Sequence, residues 1–276
     1  MSKVWFVTGA SRGLGRSIVE AALQGSDSVV ATARHPEQLD DLVQQYGKRI
    51  LPFALDVTNP DQVLAAVQAG YAAFGRYDVV VNNAGYADTA AVEDTSLDMF
   101  KAQLDANFYG VVHVSKAVLP LLRAQGSGHI FQVSSIGGRI GSVGLSAYQS
   151  AKWAVGGFST VLAQEVAPLG IQVTVLEPGG MRTDWAGSSM TIPPISAPYQ
   201  NTVGAFANML RAYSGQEPND PAQVARVIQQ LANRPDAPVR LLLGADAAHY
   251  AGLAAEALAA SDAQWYELST SVGFPA

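Results

Sequence analysis

The chain has 276 residues, of which 49% are hydrophobic and 14% are charged, so it is long enough and apolar enough to bury one large core. It contains no cysteine, which excludes disulfides, a thiolate nucleophile and cysteine-ligated metals. Its net charge of −6, without a basic cluster, argues against a nucleic-acid partner. We expect a cytoplasmic protein without a membrane partner, because glycine soon interrupts the first apolar run and leaves it too short for a signal peptide or a membrane span.

Apolar runs rich in β-branched residues alternate along the chain with longer amphipathic runs. The first kind predicts strands at 4–8, 28–33, 50–57, 78–85, 129–134 and 171–178, with a seventh at 239–244. The second kind predicts helices at 17–25, 36–47, 61–75, 96–125 and 147–166. This alternation predicts an α/β fold, a single doubly wound (Rossmann) domain over 1–276 whose parallel sheet has about seven strands and helices on both faces.

The segment 185–215 has a different composition, since it combines glycine, serine and proline with scattered apolar side chains. It predicts a mobile lid over a substrate pocket, with a plain connecting loop as the alternative. Together with two residues outside the lid, it supplies the apolar residues expected to contact substrate: Tyr86, Leu145, Trp185, Met190, Tyr199, Phe206 and Met209.

The glycine-rich sequence TGASRGLG follows the first predicted strand and leads into the first predicted helix. In this setting backbone amides and a helix N-terminus bind the pyrophosphate of a dinucleotide. Gly9, Gly13 and Gly15 are spaced as GxxxGxG rather than as the GxGxxG fingerprint. An ordinary glycine turn therefore remains an alternative to a nucleotide site.

The second predicted strand ends in Ala33 and Arg34, where a site for NAD usually has an acidic residue that accepts from the ribose 2′-hydroxyl. A guanidinium suits the 2′-phosphate of NADP instead, and Arg12 in the glycine loop could reach the same phosphate. We therefore expect NADP(H) as the cofactor. A solvated surface charge is the alternative for either arginine.

Tyr148 and Lys152 stand four residues apart in a predicted helix, so their side chains share one face. A free phenol has a pKa of about 10, and a nearby ammonium favours the phenolate. We expect Lys152 and a bound cationic cofactor ring to lower the pKa of Tyr148 towards ~7. Ser135 would enter the same cleft from a strand end, whereas Ser134 would point to the other face. This spacing alone also describes an ordinary surface pair.

Six motifs occur in order along the chain: TGASRGLG, NNAG at 82–85, Asn107, Ser135, Tyr148-x-x-x-Lys152 and PGGMRT at 178–183. Together they resemble the short-chain dehydrogenase/reductase family over roughly residues 3–183, and the resemblance weakens beyond that point.

The four histidines, His35, His113, His129 and His249, lack the spacing of metal ligands, so no metal is expected.

The resemblance implies four catalytic residues. Tyr148 would be the acid in carbonyl reduction and the base in alcohol oxidation, and Ser135 would hydrogen-bond the substrate oxygen. Lys152 would hold the nicotinamide ribose and lower the pKa of the phenol. Asn107 would hold a water that relays protons to Lys152, the alternative being an asparagine that kinks or caps a helix.

The resemblance also implies the cofactor site. Asp56 would meet the adenine, unless it only caps a helix. Asn82, Ala84 and Gly85 would line the cofactor near the adenosine ribose and stabilise the central sheet, and Thr183 would touch the carboxamide. The full expected set is Gly9, Ser11, Arg12, Gly13, Leu14, Gly15, Arg34, Asp56, Val57, Asn82, Asn83, Ala84, Gly85, Tyr148, Lys152, Pro178, Gly179, Met181 and Thr183.

These features predict a carbonyl reductase that uses NADPH, or the reverse alcohol dehydrogenase, acting on a small apolar molecule as a homodimer or homotetramer. One alternative is an epimerase or dehydratase on the same scaffold. Another is a regulator that senses a dinucleotide, although such a protein would not need both Tyr148 and Lys152. A serine hydrolase is disfavoured because Val133 stands where the nucleophile motif GxSxG needs glycine.

Overall fold

The computed structural model describes residues 2–187 and 189–274. Ser188 of the predicted lid, and Met1, Pro275 and Ala276 at the ends of the predicted domain, therefore lie outside the described residues. Within the described part, seven parallel strands form one sheet in the order β3-β2-β1-β4-β5-β6-β7. They are β1 (Val4–Thr8), β2 (Ser28–Ala33), β3 (Ile50–Ala54), β4 (Val79–Asn82), β5 (Gly128–Val133), β6 (Ile171–Pro178) and β7 (Arg240–Leu243). The predicted doubly wound sheet and its seven strands are confirmed.

Ten α-helices accompany the sheet in the same described ranges: α1 (Gly13–Gln24), α2 (Asp40–Tyr46), α3 (Pro60–Phe74), α4 (Leu97–Leu104), α5 (Gly110–Gln125), α6 (Ser146–Val166), α7 (Ala205–Tyr213), α8 (Pro221–Leu231), α9 (Ala245–Gln264) and α10 (Tyr266–Thr270). The predicted helix at 96–125 is divided by one π-helical turn, Asp105–Tyr109, between α4 and α5. The sequence patterns identified neither α8 nor the C-terminal helices α9 and α10. None of these described helices has the length and apolar content needed to cross a membrane.

The two faces of the sheet are buried by different helices. Trp5 and Val7 of β1 pack with α1 and α8, whereas Phe6, from the alternate position, packs with α3 and α5. Successive strand residues point to opposite faces, so a strand covered on both sides must be apolar throughout. This is why β1 has no exposed residue and reads as a continuous apolar run.

The position of β1 decides where a ligand can bind. β1 pairs with β2 on one side and with β4 on the other, so the chain's winding reverses direction at this strand. In open parallel sheets the loops at such a reversal separate and leave a crevice at the carboxyl ends of the strands. The glycine-rich loop between β1 and α1 lies at this end.

The segment predicted as a lid forms an irregular stretch followed by the 3₁₀ turn Ala197–Tyr199, a π turn (Gln200–Gly204) and α7. Arg211 of α7 donates to the backbone oxygens of Ala186, Gly187 and Met190, at 2.8 Å for Ala186 and 2.7 Å for Met190. These bonds attach the beginning of the segment to its helix. Movement of this segment stays a prediction.

Candidate active site

A cavity of about 730 Å³ opens at the carboxyl ends of the strands. It brings together residues that the sequence places more than 170 positions apart. Predicted catalytic and cofactor residues that line it are Gly9, Ser11, Arg12, Gly13, Leu14, Arg34, Asp56, Val57, Asn83, Ala84, Gly85, Asn107, Ser135, Tyr148, Lys152, Pro178, Gly179, Met181 and Thr183. Of the predicted substrate residues, Tyr86, Leu145 and Trp185 line it.

Gly15 contributes to the cavity without lining it. A Cβ at Gly15 would clash with the backbone oxygen of Gly9 and would lie 2.5 Å from Asn83 Nδ2. Only glycine therefore lets the first turn of α1 approach the loop this closely. Arg12 caps α1 without a side-chain cap hydrogen bond, and no acidic residue lies in the first turn. The N-terminus of α1 is thus suited to an anion.

The two asparagines after β4 have separate roles. Asn83 lines the cavity and donates through Nδ2 to Thr8 O at 3.0 Å and to Gly9 O at 3.1 Å, which ties the glycine loop to the end of β4. Asn82 is buried and donates to Gln132 Oε1 at 2.8 Å inside the sheet. The expectation that Asn82 lines the cofactor site is therefore corrected, because its position in the strand turns it away from the cavity.

Ser135, Tyr148 and Lys152 meet where β5 ends and α6 begins. Tyr148 and Lys152 are almost fully buried, and Lys152 Nζ lies 5.5 Å from the centre of the Tyr148 ring. Lys152 Nζ donates to Val133 O at 2.9 Å, which connects α6 to β5 beside Ser135. Ser134 donates to Lys152 O at 3.1 Å, so its hydroxyl proton is used in a bond to the backbone of α6.

The pKa values at this site differ from the expectation. Burial raises the pKa of Tyr148 to about 12, and a hydrogen bond with Ser135 acts in the opposite direction. Burial also lowers the pKa of Lys152 to about 8. Both shifts disfavour the charged forms, since the surroundings are poorly solvated. The expected lowering of the Tyr148 pKa depended on a bound cationic cofactor ring as well as on the Lys152 ammonium. The protein's own residues raise this pKa instead.

Asn107 lies in the π turn between α4 and α5, in the same buried layer. Its Nδ2 donates to Tyr86 O at 2.8 Å and to Gln103 O at 2.9 Å, and its Oδ1 has no partner among the described residues. A Cβ at Gly85 would lie 2.5 Å from this oxygen and 3.5 Å from Lys152 Nζ. A buried unpaired acceptor beside an ammonium fits a bound polar group such as water.

Two arginines line the cavity at the end bordered by β2 and the glycine loop. Arg34 is exposed and has no hydrogen bond or ion pair with the described residues. The Arg12 guanidinium lies 3.5 Å from Asp184 Oδ2, and both side chains are largely exposed. Asp56 also lines this end, where its Oδ1 accepts from Thr58 N at 2.9 Å and from Thr58 Oγ1 at 2.8 Å. Asp56 therefore makes hydrogen bonds within its own turn and also lines the cavity.

The other predicted substrate residues do not line the cavity. Met190 is buried behind it in a cluster with Leu145 and Tyr148, and Phe206 packs on the outside of that cluster. Tyr199 donates to Glu93 Oε2 at 2.8 Å away from the cavity, and Met209 is more than half exposed. Contact of these four side chains with substrate therefore stays a prediction that the cavity lining does not support.

The structure adds cavity residues that the sequence analysis missed as contacts. They include Ile140, Gln149, Leu210, Tyr213 and Glu217. Phe206, Leu210 and Tyr213 follow the i, i+4, i+7 spacing of one helix face, which was a signal for Leu210 and Tyr213. Met209 stands at i+3 and fits the same face, so periodicity alone could not separate it from Leu210. No comparable signal marks Glu217.

Comparisons with known proteins agree with this geometry. The family model for short chain dehydrogenases matches residues 3–191. The chain is 65% identical to Oxidoreductase BOA17 of Botryotinia fuckeliana, over 98% of each chain. A short-chain dehydrogenase from Streptomyces avermitilis has a similar crystal structure, with a TM-score of 0.94 and 36% identity over 99% of this chain and 100% of that one. An alcohol dehydrogenase from the archaeon Thermococcus sibiricus, complexed with 5-hydroxy-NADP, gives a TM-score of 0.73 with 26% identity over 88% and 96% of the two chains.

Proposed function

Because the chain belongs to the short-chain dehydrogenase family of oxidoreductases, we propose that it transfers hydride between NADP(H) and a carbonyl or secondary alcohol of a small apolar molecule. The observation that carries this proposal is the convergence of Ser135, Tyr148 and Lys152 in one cavity with the glycine loop. The cofactor supplies the hydride when bound, and the protein supplies position and protons.

Carbonyl reduction is the direction that the protonation states support. With a pKa of about 12, Tyr148 is protonated at neutral pH and can donate its proton as the carbonyl oxygen becomes an alkoxide. Ser135 accepts from Gly137 N at 3.0 Å through Oγ, so its hydroxyl is oriented and its proton can be directed at the substrate oxygen. With a pKa of about 8, Lys152 stays mostly protonated at pH 7 and can bind ribose hydroxyls.

The residues present fit a dinucleotide. The close approach of α1 at Gly15 leaves a helix N-terminus for the pyrophosphate, and the unpaired Asn107 Oδ1 suits a water beside the ribose. Arg34 and Arg12 would hold the 2′-phosphate of NADP. The NADP derivative bound to the Thermococcus sibiricus alcohol dehydrogenase supports the same cofactor class.

The substrate end supports an apolar ligand. Ile140, Leu145, Trp185, Leu210 and Tyr213 line it, and the Trp185 ring lies 5.5 Å from the Tyr148 ring. A carbonyl compound held by these side chains would place its oxygen towards Ser135 and Tyr148, whose hydroxyl groups can hydrogen-bond to it. Apolar walls with a few polar groups that fix orientation are typical of small-molecule sites.

We also propose that the protein forms a homodimer or homotetramer in the cytoplasm. Support for self-association comes from α9 and α10, where Leu253, Leu258, Trp265, Tyr266 and Leu268 are each more than half exposed. Clusters of exposed apolar side chains mark interaction surfaces. Light scattering after size-exclusion chromatography tests this assembly, and a monomer at micromolar concentration would contradict it.

The experiment for the proposed function measures NADPH oxidation against a panel of neutral ketones and aldehydes, with wild type and Y148F. The variant lacks only the donated proton, so turnover should fall more than tenfold while NADPH binding stays nearly unchanged. Y250F, which alters a half-exposed tyrosine on α9, is the matched control and should keep wild-type turnover. If Y148F keeps more than about a tenth of the wild-type kcat, the assignment is wrong.

A further inference from the structure

The turn at 178–183 lines the cavity between the substrate end and the glycine loop, and under the proposed function it would hold the nicotinamide. Its shape depends on residues that come much later in the chain. We propose that Asp246 and Asn219 form a clamp that positions this turn for the nicotinamide half of the cofactor. The inference rests on the proposed function and adds two positioning residues to it.

Asp246 is the second residue of α9 and contacts the turn directly. Its Oδ2 accepts from the backbone N–H of Gly180 at 2.8 Å, and its Oδ1 accepts from Asn219 Nδ2 at 2.8 Å. Both carboxylate oxygens are therefore used, one on the turn and one on the second clamp residue. Hydrogen bonds to an ionised acceptor are shorter and stronger than neutral ones, so this contact is a firm attachment.

Asn219, which precedes α8, hydrogen-bonds to the turn through both its backbone and its side chain. Its Nδ2 donates to Gly180 O at 2.8 Å, and its backbone N donates to the same oxygen at 3.2 Å. Its backbone oxygen accepts from Arg182 N at 3.0 Å. Gly180 is thus held at its N–H by Asp246 and at its C=O by Asn219, which fixes the orientation of both neighbouring peptide planes.

The glycines around the clamp leave room for the carboxylate and for nothing larger. A Cβ at Gly179 would clash with both oxygens of Asp246, and a Cβ at Gly244 would lie 2.5 Å from Asp246 Oδ1. The N–H of Gly179 also donates to Leu243 O at 2.9 Å. The turn is therefore fixed from behind by the C-terminal part of the chain, while its other side borders the cavity.

A positioning role predicts an effect confined to one half of the cofactor. The adenosine half would contact Arg34 and the glycine loop, which the clamp does not touch. Loss of the clamp should therefore weaken binding of NADPH but leave binding of 2′-phospho-ADP-ribose, which lacks the nicotinamide, almost unchanged. A general loss of stability would weaken both ligands to the same degree.

The test measures the affinity of both ligands by calorimetry for full-length wild type, D246A, D246N and N219A. For D246A we expect about a 10- to 100-fold loss of NADPH affinity, because the carboxylate that accepts from Gly180 N and Asn219 Nδ2 is removed, and less than a twofold change for 2′-phospho-ADP-ribose. D246N keeps an acceptor for Gly180 N–H and should lose less than D246A. N219A should show the same difference between the two ligands, and it carries the test if D246A does not fold.

The matched control is D27A. Asp27 also accepts from two N–H donors, Lys3 N and Trp5 Nε1, each at 2.8 Å, and it lies at the opposite end of β1. The control should lower Tm without separating the two affinities. Equal losses for both ligands in D246A, or the same separation in D27A, would overturn the clamp.

Failure of the proposed function gives a different result. If wild type binds NADPH no more tightly than 2′-phospho-ADP-ribose, the turn does not hold a nicotinamide, and the proposed cofactor site itself is wrong. If wild type prefers NADH, the pair NADH and ADP-ribose replaces the two ligands, and the expected separation in D246A is unchanged.

Discussion

Replacing Arg34 with aspartate should reverse the cofactor preference, from NADPH to NADH, which lacks the 2′-phosphate. Arg34 borders the cavity with an exposed guanidinium that has no partner among the described residues, so it can turn to a 2′-phosphate without breaking a contact. Arg12 starts from a 3.5 Å ion pair with Asp184, which competes for it. Arg34 should therefore contribute more to the preference than Arg12.

The magnitude follows from the exposure of the site. A hydrogen bond to a charged group contributes about 1.5–3 kcal/mol, and screening by water reduces this at an exposed guanidinium to roughly 1–2 kcal/mol. Each 1.4 kcal/mol is a factor of about ten, so wild type should prefer NADPH by roughly tenfold. R34D removes the attraction and adds a repulsion, so the preference should pass to NADH.

The assay compares kcat/KM for NADPH and NADH in wild type, R34A, R34D and R12A at low and high ionic strength. Salt should reduce the wild-type preference, because the groups are accessible to water. R123D makes the same change in net charge at the C-terminal end of α5 and should leave the ratio unchanged. A wild type that prefers NADH, or an R34D variant with the wild-type ratio, would refute the reasoning.

Three further predictions concern the buried lysine, the lid and the glycine loop. Burial lowers the pKa of Lys152 to about 8, below its unfolded value of about 10.4, so the unfolded state holds the extra proton between these pH values. Unfolding titrations should show wild type losing up to about 3 kcal/mol relative to K152M as pH falls from 10.4 to 8, and parallel curves would contradict this. Hydrogen exchange in the free protein should be faster in 185–215 than in the strands. R211A removes three hydrogen bonds to the lid backbone and should make exchange still faster around Ala186 and Met190. Lid protection equal to that of the strands would show that the segment does not move. G15A should lower both Tm and NADPH affinity, since its Cβ would clash with Gly9 O. The control is G157A, which should keep wild-type affinity because no atom lies near a Cβ at that position. Normal NADPH binding by G15A would show that the loop relaxes.

The sequence by itself determined the sheet and the central chemistry. Strands that are covered on both faces are rich in apolar and β-branched residues, and the alternation of such runs with amphipathic ones predicted β1, β2 and β6 to the residue. The helical period placed Tyr148 and Lys152 on one face without any knowledge of what surrounds them. Local periodicity decides these features, and local periodicity is visible in a sequence.

The tertiary structure decided everything that depends on what packs against a residue. A shift of one position separates buried Asn82 from cavity-lining Asn83, and likewise exposed Met209 from cavity-lining Leu210. The raised pKa of Tyr148 comes from burial by distant segments, which spacing cannot reveal. Asp246 accepts from Gly180 N–H at a sequence separation of 66, because β7 and α9 return to the end of β6. Such contacts are set by the folding of the whole chain around the sheet.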